Sequence, residues 1–339
     1  MRRLRYAVAS ALAVTALVAS GCSADDSESG GVAASGETRT FTAANGTFQI
    51  PVHPKRIVAM SRAVPPLLIA GAPVIGATTG YDTSTIVDQD AINRYHEVDT
   101  LTTGTAKTNA GGGTQLSYEQ IAALKPDLII SGFPQKAYKS AISDEQLQAI
   151  APTLSLGPAT PTEWREVGRK AADAAGKGDV FDQQKAEYEK LAAELKQKYA
   201  STIAGKKFAA VSVFNSIQAN SFQREYDDSF TTNIANDLGI TFPGGTPRKT
   251  QEIVSVERLS DLADADVILY QVNPDGSLRH PRTQALFDSA AWQNLPAVRA
   301  GHALPVAFTA AETYAGAMRC LQSVAQGLDK LSTSDTAGS

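Results

Sequence analysis

The sequence has few of the residues on which most metal sites and disulfide frameworks depend. Its 339 residues include only two cysteines, Cys22 and Cys320, and four histidines. Two cysteines are too few for a disulfide scaffold or a cysteine-based structural zinc site. The histidines lie far apart in the chain, so we predict neither a histidine-rich metal site nor a bound metal cofactor.

Positive charge and catalytic signatures are also scarce. Lys and Arg number 31 against 35 Asp and Glu, which gives a formal charge of −4. Binding to a nucleic-acid backbone needs an excess of cationic charge, so we predict no nucleic-acid partner. The sequence contains no G-x-S-x-G, G-x-x-x-x-G-K-[ST], H-E-x-x-H, C-x-x-C or S-x-x-K motif. We therefore predict a protein without catalytic residues, not an enzyme.

The apolar run near the N-terminus is short. Ala7–Val18 follows a segment with three arginines and contains about a dozen apolar or small residues, whereas a membrane-spanning helix needs about 20. This pattern is typical of an export signal. The residues before Cys22, Ala19-Ser20-Gly21, resemble a bacterial lipoprotein cleavage site; the alternative is an ordinary secretory signal with an incidental cysteine. We predict a signal peptide at 1–21 and a lipid anchor on Cys22, which would hold the protein on the extracytoplasmic face of the cell membrane.

Two segments contain little that a folded core needs. Residues 22–40 are mostly Ser, Gly, Asp, Glu and other small residues, and the last residues, 332–339, are similar. Such segments bury too little apolar surface to offset the entropy lost on ordering. The composition predicts a flexible tether at 22–40 and a disordered tail at 332–339.

Short apolar runs alternate with helical patterns through the rest of the chain. Arg56–Met60 and Leu128–Ser131 are typical of buried strands in a first region, 41–160. The pattern restarts at Lys207–Phe214 in a second region, 203–331. Alternation of this kind predicts α/β lobes whose sheets are mostly parallel, with helices on both faces.

Several further elements are predicted in the second region. Phe230–Leu238 and Val256–Leu262 are expected to be helices, with Ser255 as the N-cap of the latter. The run Tyr314–Leu331 has apolar residues at helical spacing, and Cys320 lies within it. We expect Cys320 to pack as a small buried hydrophobic residue.

The segment between the two regions, 161–202, is highly charged and predicts a long helix. Gly176 and Gly178 are expected to break or kink it. Beyond the glycines, large apolar residues recur at three, four or seven positions and form one stripe: Phe181, Tyr188, Leu191, Leu195 and Tyr199. The stripe predicts packing against a globular body.

One pattern occurs once in each region. Leu116–Ile130 and Val254–Leu269 both contain Ser-x-Glu, a short helix, an Asp and an apolar strand. Both could be ordinary capped helices before strands. Taken with the rest of the layout, the pair predicts two similar lobes with a ligand cleft between them.

Three stretches resemble one family, the substrate-binding proteins of iron-siderophore ABC importers. They are Gly46–Ala59, Leu116–Ile130 and Trp292–Ala303, and the resemblance covers about residues 40–330. The resemblance implies two α/β lobes joined by a single long helix, with ABC permease subunits as partners. We also expect the protein to be a monomer. The resemblance also implies a ferric siderophore as ligand, with iron already chelated and no further cofactor. The superfamily contains haem and vitamin B12 binders too, so haem or a corrinoid is the alternative ligand.

The resemblance assigns a role to two glutamates. Glu119 and Glu257 match the positions where the family displays one carboxylate per lobe toward arginines of the permease. Pairing of this kind steers and registers docking. The alternative is that each glutamate lies in the first turn of a helix, where it favours the helix dipole.

Ligand contacts are expected from loops that follow strand ends at the crevice between the lobes. Arginine donors recognise chelating oxygens, and aromatic faces cover an organic shell. Each candidate could instead be a solvated loop side chain or a core aromatic. The candidates are Arg62, Tyr81, Phe133, Lys136, Trp164, Arg224, Tyr226 and Tyr314.

Overall fold

The computed structural model describes residues 36–81, 86–101, 103–106, 113–214, 220–246 and 249–337. The predicted signal peptide, Cys22 and the first part of the predicted tether lie outside these residues. The strands are β1 (Thr38–Ala43), β2 (Gly46–Pro51), β3 (Ile57–Ser61), β4 (Val74–Thr78), β5 (Asp99–Leu101), β6 (Thr103–Ala106), β7 (Gly113–Leu116), β8 (Leu128–Gly132), β9 (Thr153–Ser155), β10 (Phe208–Ser212), β11 (Ser221–Glu225), β12 (Gln251–Ser255), β13 (Val267–Gln271) and β14 (Ala303–Val306).

The α-helices cover the faces of the sheets and connect them. They are α1 (Val64–Ile69), α2 (Gln89–Glu97), α3 (Tyr118–Ala123), α4 (Gln135–Ala141), α5 (Asp144–Gln148), α6 (Trp164–Ala174), α7 (Gly178–Lys198), α8 (Ala200–Ile203), α9 (Arg282–Asp288), α10 (Ala290–Gln293), α11 (Pro296–Arg299) and α12 (Tyr314–Ala337). Short 3₁₀ helices lie at Pro161–Glu163, Ala235–Leu238 and Val256–Leu262.

The N-terminal lobe is built on a parallel sheet in the order β5-β4-β3-β8-β9. Its central strand β3 has four consecutive residues, Ile57–Met60, that are fully buried. A strand buried on both faces of a parallel sheet requires such a continuous apolar run, which is the pattern that the sequence shows there. The predicted strands at Arg56–Met60 and Leu128–Ser131 are confirmed as β3 and β8.

The C-terminal lobe has a mixed sheet in the order β12-β11-β10-β13-β14. The strands β10, β13 and β14 are parallel, and β11 and β12 add to the sheet as an antiparallel pair. The expectation of α/β lobes is confirmed, with the antiparallel pair as an addition to the parallel part. The helix predicted at Phe230–Leu238 shortens to a 3₁₀ turn at Ala235–Leu238. Polar side chains before it, such as Asn233, bond to nearby backbone carbonyls and hold a turn instead.

Helices α6 and α7 connect the lobes. They are separated at Gly176, whose φ of +68° is a left-handed conformation that glycine adopts without strain. The long helix α7 packs against α12, as the apolar stripe predicts. Helix α6 contacts both lobes, because Trp164 lies in the core of the C-terminal lobe whereas Val167 and Ala171 lie in the core of the N-terminal lobe.

The folded body extends beyond the predicted boundaries at both ends. Strand β1 begins at Thr38 and pairs with β2, inside the segment 22–40 that the composition predicts as a tether. Helix α12 continues to Ala337, past the position 332 at which the sequence predicts a disordered tail. The thiol of Cys320 is fully buried in this helix, as expected, and burial raises its pKa to about 12.

Candidate ligand-binding cleft

A cavity of about 560 Å³ lies between the lobes. One wall comes from the N-terminal lobe and the start of the connecting segment, and the other comes from the C-terminal lobe. The described residues that line it are Arg62, Pro134, Pro158, Ala159, Thr160, Pro161, Phe230, Lys249, Thr250 and Gln251. Its volume falls within the range of about 300–1,000 Å³ that is usual for small-molecule sites.

Arg62 is positioned by the turn that ends β3. Ser61 has a φ of +52°, and its backbone N–H donates to Thr78 Oγ1 at 2.8 Å. The backbone of Arg62 also passes so close to Gly132 that a Cβ there would come within 2.6 Å of the Arg62 carbonyl carbon. Glycine at the end of β8 therefore allows the two strand ends to approach each other. The result is an arginine held at the C-terminal edge of the parallel sheet, where α/β proteins bind ligands.

The Arg62 side chain reaches groups of the opposite lobe. Its guanidinium lies 5.3 Å from the centre of the Phe230 ring, within cation–π range. Its Nε is 3.8 Å from Oε1 of Glu312, which precedes α12. The two charged side chains are 25% and 13% exposed, so this ion pair joins the lobes beside the cleft, largely out of water.

Glu312 and Tyr81 lie beside Arg62 and outside the described cavity lining. Burial raises the pKa of the Glu312 carboxyl to about 7, and the nearby Arg62 charge opposes that increase. The Oε2 atom of Glu312 is buried and has no hydrogen-bond partner in the part of the chain that the structure describes. The pKa of Tyr81 is raised well above its ordinary value, first by burial and then by the Glu312 charge, while Arg62 lowers it. A carboxyl group, a guanidinium and a phenol are thus grouped at one point between the lobes.

A buried carboxylate fixes the loop that carries Phe230. Glu225, 1% exposed, accepts hydrogen bonds from Ser229 Oγ at 2.5 Å and from the backbone N–H of Thr231 at 2.8 Å. Gln271 Nε2 in turn donates to Thr231 Oγ1 at 2.6 Å. These bonds hold the residues on both sides of Phe230, so its ring is presented to the cleft by a rigid loop.

The structure brings together some of the residues predicted from strand ends. Arg62 lines the cavity, and Tyr81 lies beside Arg62 and Glu312. Phe133 is half-buried next to Pro134 of the lining, and Lys136 is exposed on α4.

Four other candidates lie elsewhere. Trp164 and Tyr314 are buried against each other in the core, with ring centres 5.1 Å apart. Tyr226 is buried and donates to Glu252 Oε2 at 2.9 Å, and the Arg224 guanidinium lies 5.4 Å from the centre of its ring. None of these four belongs to the described lining.

Sequence reasoning missed Phe230, Lys249 and Glu312. Phe230 was expected within a helix, and Glu312 belongs to a short irregular segment without periodicity. Glu312 lies between the last strand and the long C-terminal helix. This position after a strand end is the sequence feature that could have identified it as a ligand-site candidate, as it did for the other candidates.

Both predicted docking glutamates are exposed. Each follows a serine that caps a short helix: Ser117 Oγ accepts from the N–H of Gln120, and Ser255 Oγ accepts from the N–H of Glu257. The two serine hydroxyls also bond to the carboxylates of Glu119 and Glu257, at 3.4 and 3.0 Å. The repeated pattern in the sequence therefore produces a repeated local structure, one on each lobe.

Two further observations concern metals and membranes. In the described part of the chain, no three His, Cys, Asp or Glu side chains come together in a way that could hold a metal ion. No helix among the same residues combines the length and the apolar character needed to cross a bilayer.

Two α/β lobes with a cleft between them define a bilobal ligand-binding protein. The periplasmic binding protein family matches residues 74–304, and the chain belongs to this family. A relative from Bacillus subtilis (strain 168), a "probable siderophore-binding lipoprotein YfiY", is 30% identical over 303 residues, which cover 85% of this chain and 86% of the relative. The iron(3+)-hydroxamate-binding protein FhuD of the same organism is 26% identical over 308 residues, 89% of each chain.

A solved structure is similar in fold. It is the siderophore periplasmic binding protein from the fuscachelin gene cluster of Thermobifida fusca, which superposes with a TM-score of 0.66 at 25% identity. The match covers 82% of this chain and 97% of the other. The expected membership of the substrate-binding proteins is confirmed.

Proposed function

We propose that this protein captures a ferric siderophore between its lobes and delivers it to the permease of an ABC importer for iron uptake. The observation that carries this proposal is the inter-lobe cavity, where Arg62 lies beside the Phe230 ring. Guanidinium N–H groups donate well to the oxygens of an iron chelate, and an aromatic face covers its organic shell. Iron arrives already chelated, so the protein needs neither a metal ligand nor a catalytic residue.

Titration of the purified protein with ferric siderophores tests this proposal. We expect quenching of the intrinsic fluorescence on binding, since Trp164 lies close in sequence to Pro161 of the cavity wall. Haem is titrated in parallel and followed by its visible absorption. If haem or a corrinoid binds saturably and no siderophore binds, the siderophore proposal is wrong and the alternative ligand is correct.

The exposed Glu119 and Glu257 support a docking role on the permease side. One carboxylate projects from each lobe at equivalent places, next to a capping serine. Two separated charges of one sign fix both the position and the orientation of a partner that carries positive charge. We propose that they pair with basic residues of the two permease subunits.

We also propose that the mature protein begins at a lipid-modified Cys22 and is held at the outer face of the cell membrane as a monomer. The Arg-rich start, the short apolar run and Gly21-Cys22 support this anchor. Cys22→Ala should release the protein into the soluble fraction, whereas Cys320→Ala serves as the matched control and should stay with the membrane. Membrane retention of the Cys22→Ala protein would contradict lipid anchoring.

A further inference from the structure

The carboxylate that pairs with Arg62 has a position that is costly for the fold. Glu312 is 13% exposed and, among the described residues, its buried Oε2 has no hydrogen-bond partner and its one ion pair, with Arg62, is long at 3.8 Å. A buried charge with so little compensation destabilises the folded state. Because packing does not require a carboxylate at this point, a role in the cleft is the better explanation.

The charges around the cavity are balanced in pairs. Its two charged lining residues, among those described, are Arg62 and Lys249. Arg62 faces Glu312, and Lys249 Nζ lies 3.0 Å from Glu252 Oε2. The hydrogen bond from Lys249 lowers the pKa of Glu252, so this carboxylate is ionised at neutral pH. Each cation of the described wall therefore has an acidic partner. Above about pH 7, where Glu312 is ionised as well, the two pairs leave no excess of positive charge.

Ferric siderophore complexes differ in net charge. Three hydroxamates, each with one negative charge, neutralise iron(III) and give a neutral complex, whereas three catecholates, each with two, leave a trianion. A trianion loses far more hydration free energy than a neutral complex on entering a cleft, and recovers it only from an excess of nearby cations.

We propose that Glu312 cancels the charge of Arg62 and thereby restricts the cleft to ferric complexes without net negative charge, the tris-hydroxamate class. This inference rests on the siderophore-binding function proposed above. Arg62 still donates its N–H groups to chelating oxygens. Glu312 is in this sense a specificity-determining residue, because it acts on the ligand through the charge of Arg62.

The test is made at about pH 8, where Glu312 is mostly ionised because its pKa is about 7. It compares two probes on the full chain: a neutral ferric tris-hydroxamate and a trianionic ferric tris-catecholate. We expect the wild-type protein to prefer the neutral complex by at least about 100-fold in Kd. Glu312→Gln should reduce this preference by about tenfold or more, mainly by tightening the catecholate complex. Glu312→Asp keeps the charge and should keep the preference.

Glu189→Gln is the matched control, because Glu189 also pairs with a basic residue, Lys185, but lies exposed on α7. It should leave both Kd values unchanged. Equal affinity of the wild-type protein for the two complexes, or an unchanged preference in Glu312→Gln, would overturn the inference while leaving the siderophore function standing. If neither complex binds, nor any other siderophore, the proposed function itself fails.

A measurement on the wild-type protein covers the case in which Glu312→Gln does not fold. Among the described residues, the charged and titratable groups that face Glu312 are Arg62 and Tyr81. The pKa of Tyr81 is raised well above its ordinary value, first by burial, so its phenol stays neutral. Glu312 itself titrates near neutral pH, since burial raises its pKa to about 7. Binding of the trianion should therefore tighten as the pH falls through 7, with a smaller change for the neutral complex. A pH-independent ratio of the two Kd values would contradict the role of Glu312.

Discussion

Arg62 is the residue on which ligand binding should depend most directly. It lines the cavity and is held between Phe230 and Glu312 of the opposite lobe. Arg62→Ala should weaken siderophore binding by about 1.5–3 kcal/mol, the usual contribution of a hydrogen bond to a charged group. Arg299→Ala, an exposed arginine at the end of α11, is the control and should bind normally. Unchanged affinity in Arg62→Ala would remove this residue from the site.

Glu312 should make the stability of the protein depend on pH. Its pKa in the folded state, about 7, lies above its ordinary value of 4.5 because burial disfavours the charged form. A group with a raised pKa contributes stability that is full below about pH 4.5 and is lost as the pH rises through about 7. We expect the free energy of unfolding of the wild-type protein to fall relative to that of Glu312→Gln over this interval, by at most about 3 kcal/mol. Urea unfolding at several pH values measures this difference, and parallel pH profiles for the two proteins would refute it.

The sequence predicted Arg62 and not Glu312, and the physical reason is local. Arg62 follows a run of buried β-branched and apolar residues, so the end of its strand is visible in the sequence. Glu312 belongs to a segment whose conformation depends on packing against the other lobe, a long-range contact with no periodic signature. Trp164 and Tyr314 illustrate the opposite case: they also lie near element ends, but tertiary packing turns both into the core.

At the scale of elements, α6 is the part of the chain that both lobes share. Trp164 at its start packs in the core of the C-terminal lobe and donates from Nε1 to Asn233 Oδ1 at 3.2 Å, and the next turn packs in the other core. Trp164→Ala should lower the free energy of unfolding by about 3–5 kcal/mol through the cavity it leaves.

Trp164→Phe should cost less, because it keeps most of the packing and loses mainly the hydrogen bond to Asn233. Denaturant unfolding measures both variants. A loss below about 1 kcal/mol for Trp164→Ala would mean that α6 adjusts its position and that Trp164 does not tie the two lobes together.

Elements with continuous apolar runs were predictable, and the polar antiparallel pair β11–β12 was not. The β3, β8 and β10 strands are buried, and each begins with an apolar run that continues to a serine at or near its end. The pair β11–β12 carries Gln223, Glu225 and Gln251, which form a hydrogen-bond network on one of its faces. Because polar residues such as these have low strand propensity, the sequence predicts a loop in this segment and not a strand.

At the scale of the molecule, Glu119 and Glu257 should act in transport and not in binding. Both are exposed, and neither belongs to the described cavity lining. Reversing either charge, as in Glu119→Arg or Glu257→Arg, puts like charge against a basic partner. We expect iron-siderophore uptake to be lost or sharply reduced, with siderophore affinity unchanged.

Glu145 provides a matched control for this prediction. It follows a capping serine, Ser143, at the same spacing and lies exposed in the first turn of α5. Glu145→Arg therefore disturbs a helix dipole in the same way without touching either repeated unit. Normal iron-siderophore uptake in both Glu119→Arg and Glu257→Arg would contradict docking and leave only the helix-dipole role. Weaker siderophore binding in either variant would instead mean that the glutamate contributes to the cleft or to the fold.

The shielding of Cys320 makes this chain suitable for site-directed labelling. The thiol is fully buried and its pKa is raised to about 12, so the reactive thiolate is scarce in the folded protein. In a Cys22→Ser background, cysteines introduced at positions 119 and 257 would take up thiol-reactive dyes while Cys320 stays unmodified. One dye on each lobe would report the distance between them by resonance energy transfer. Because Cys320 stays unlabelled, a change in energy transfer between these two dyes would measure how far the lobes move when a ligand binds.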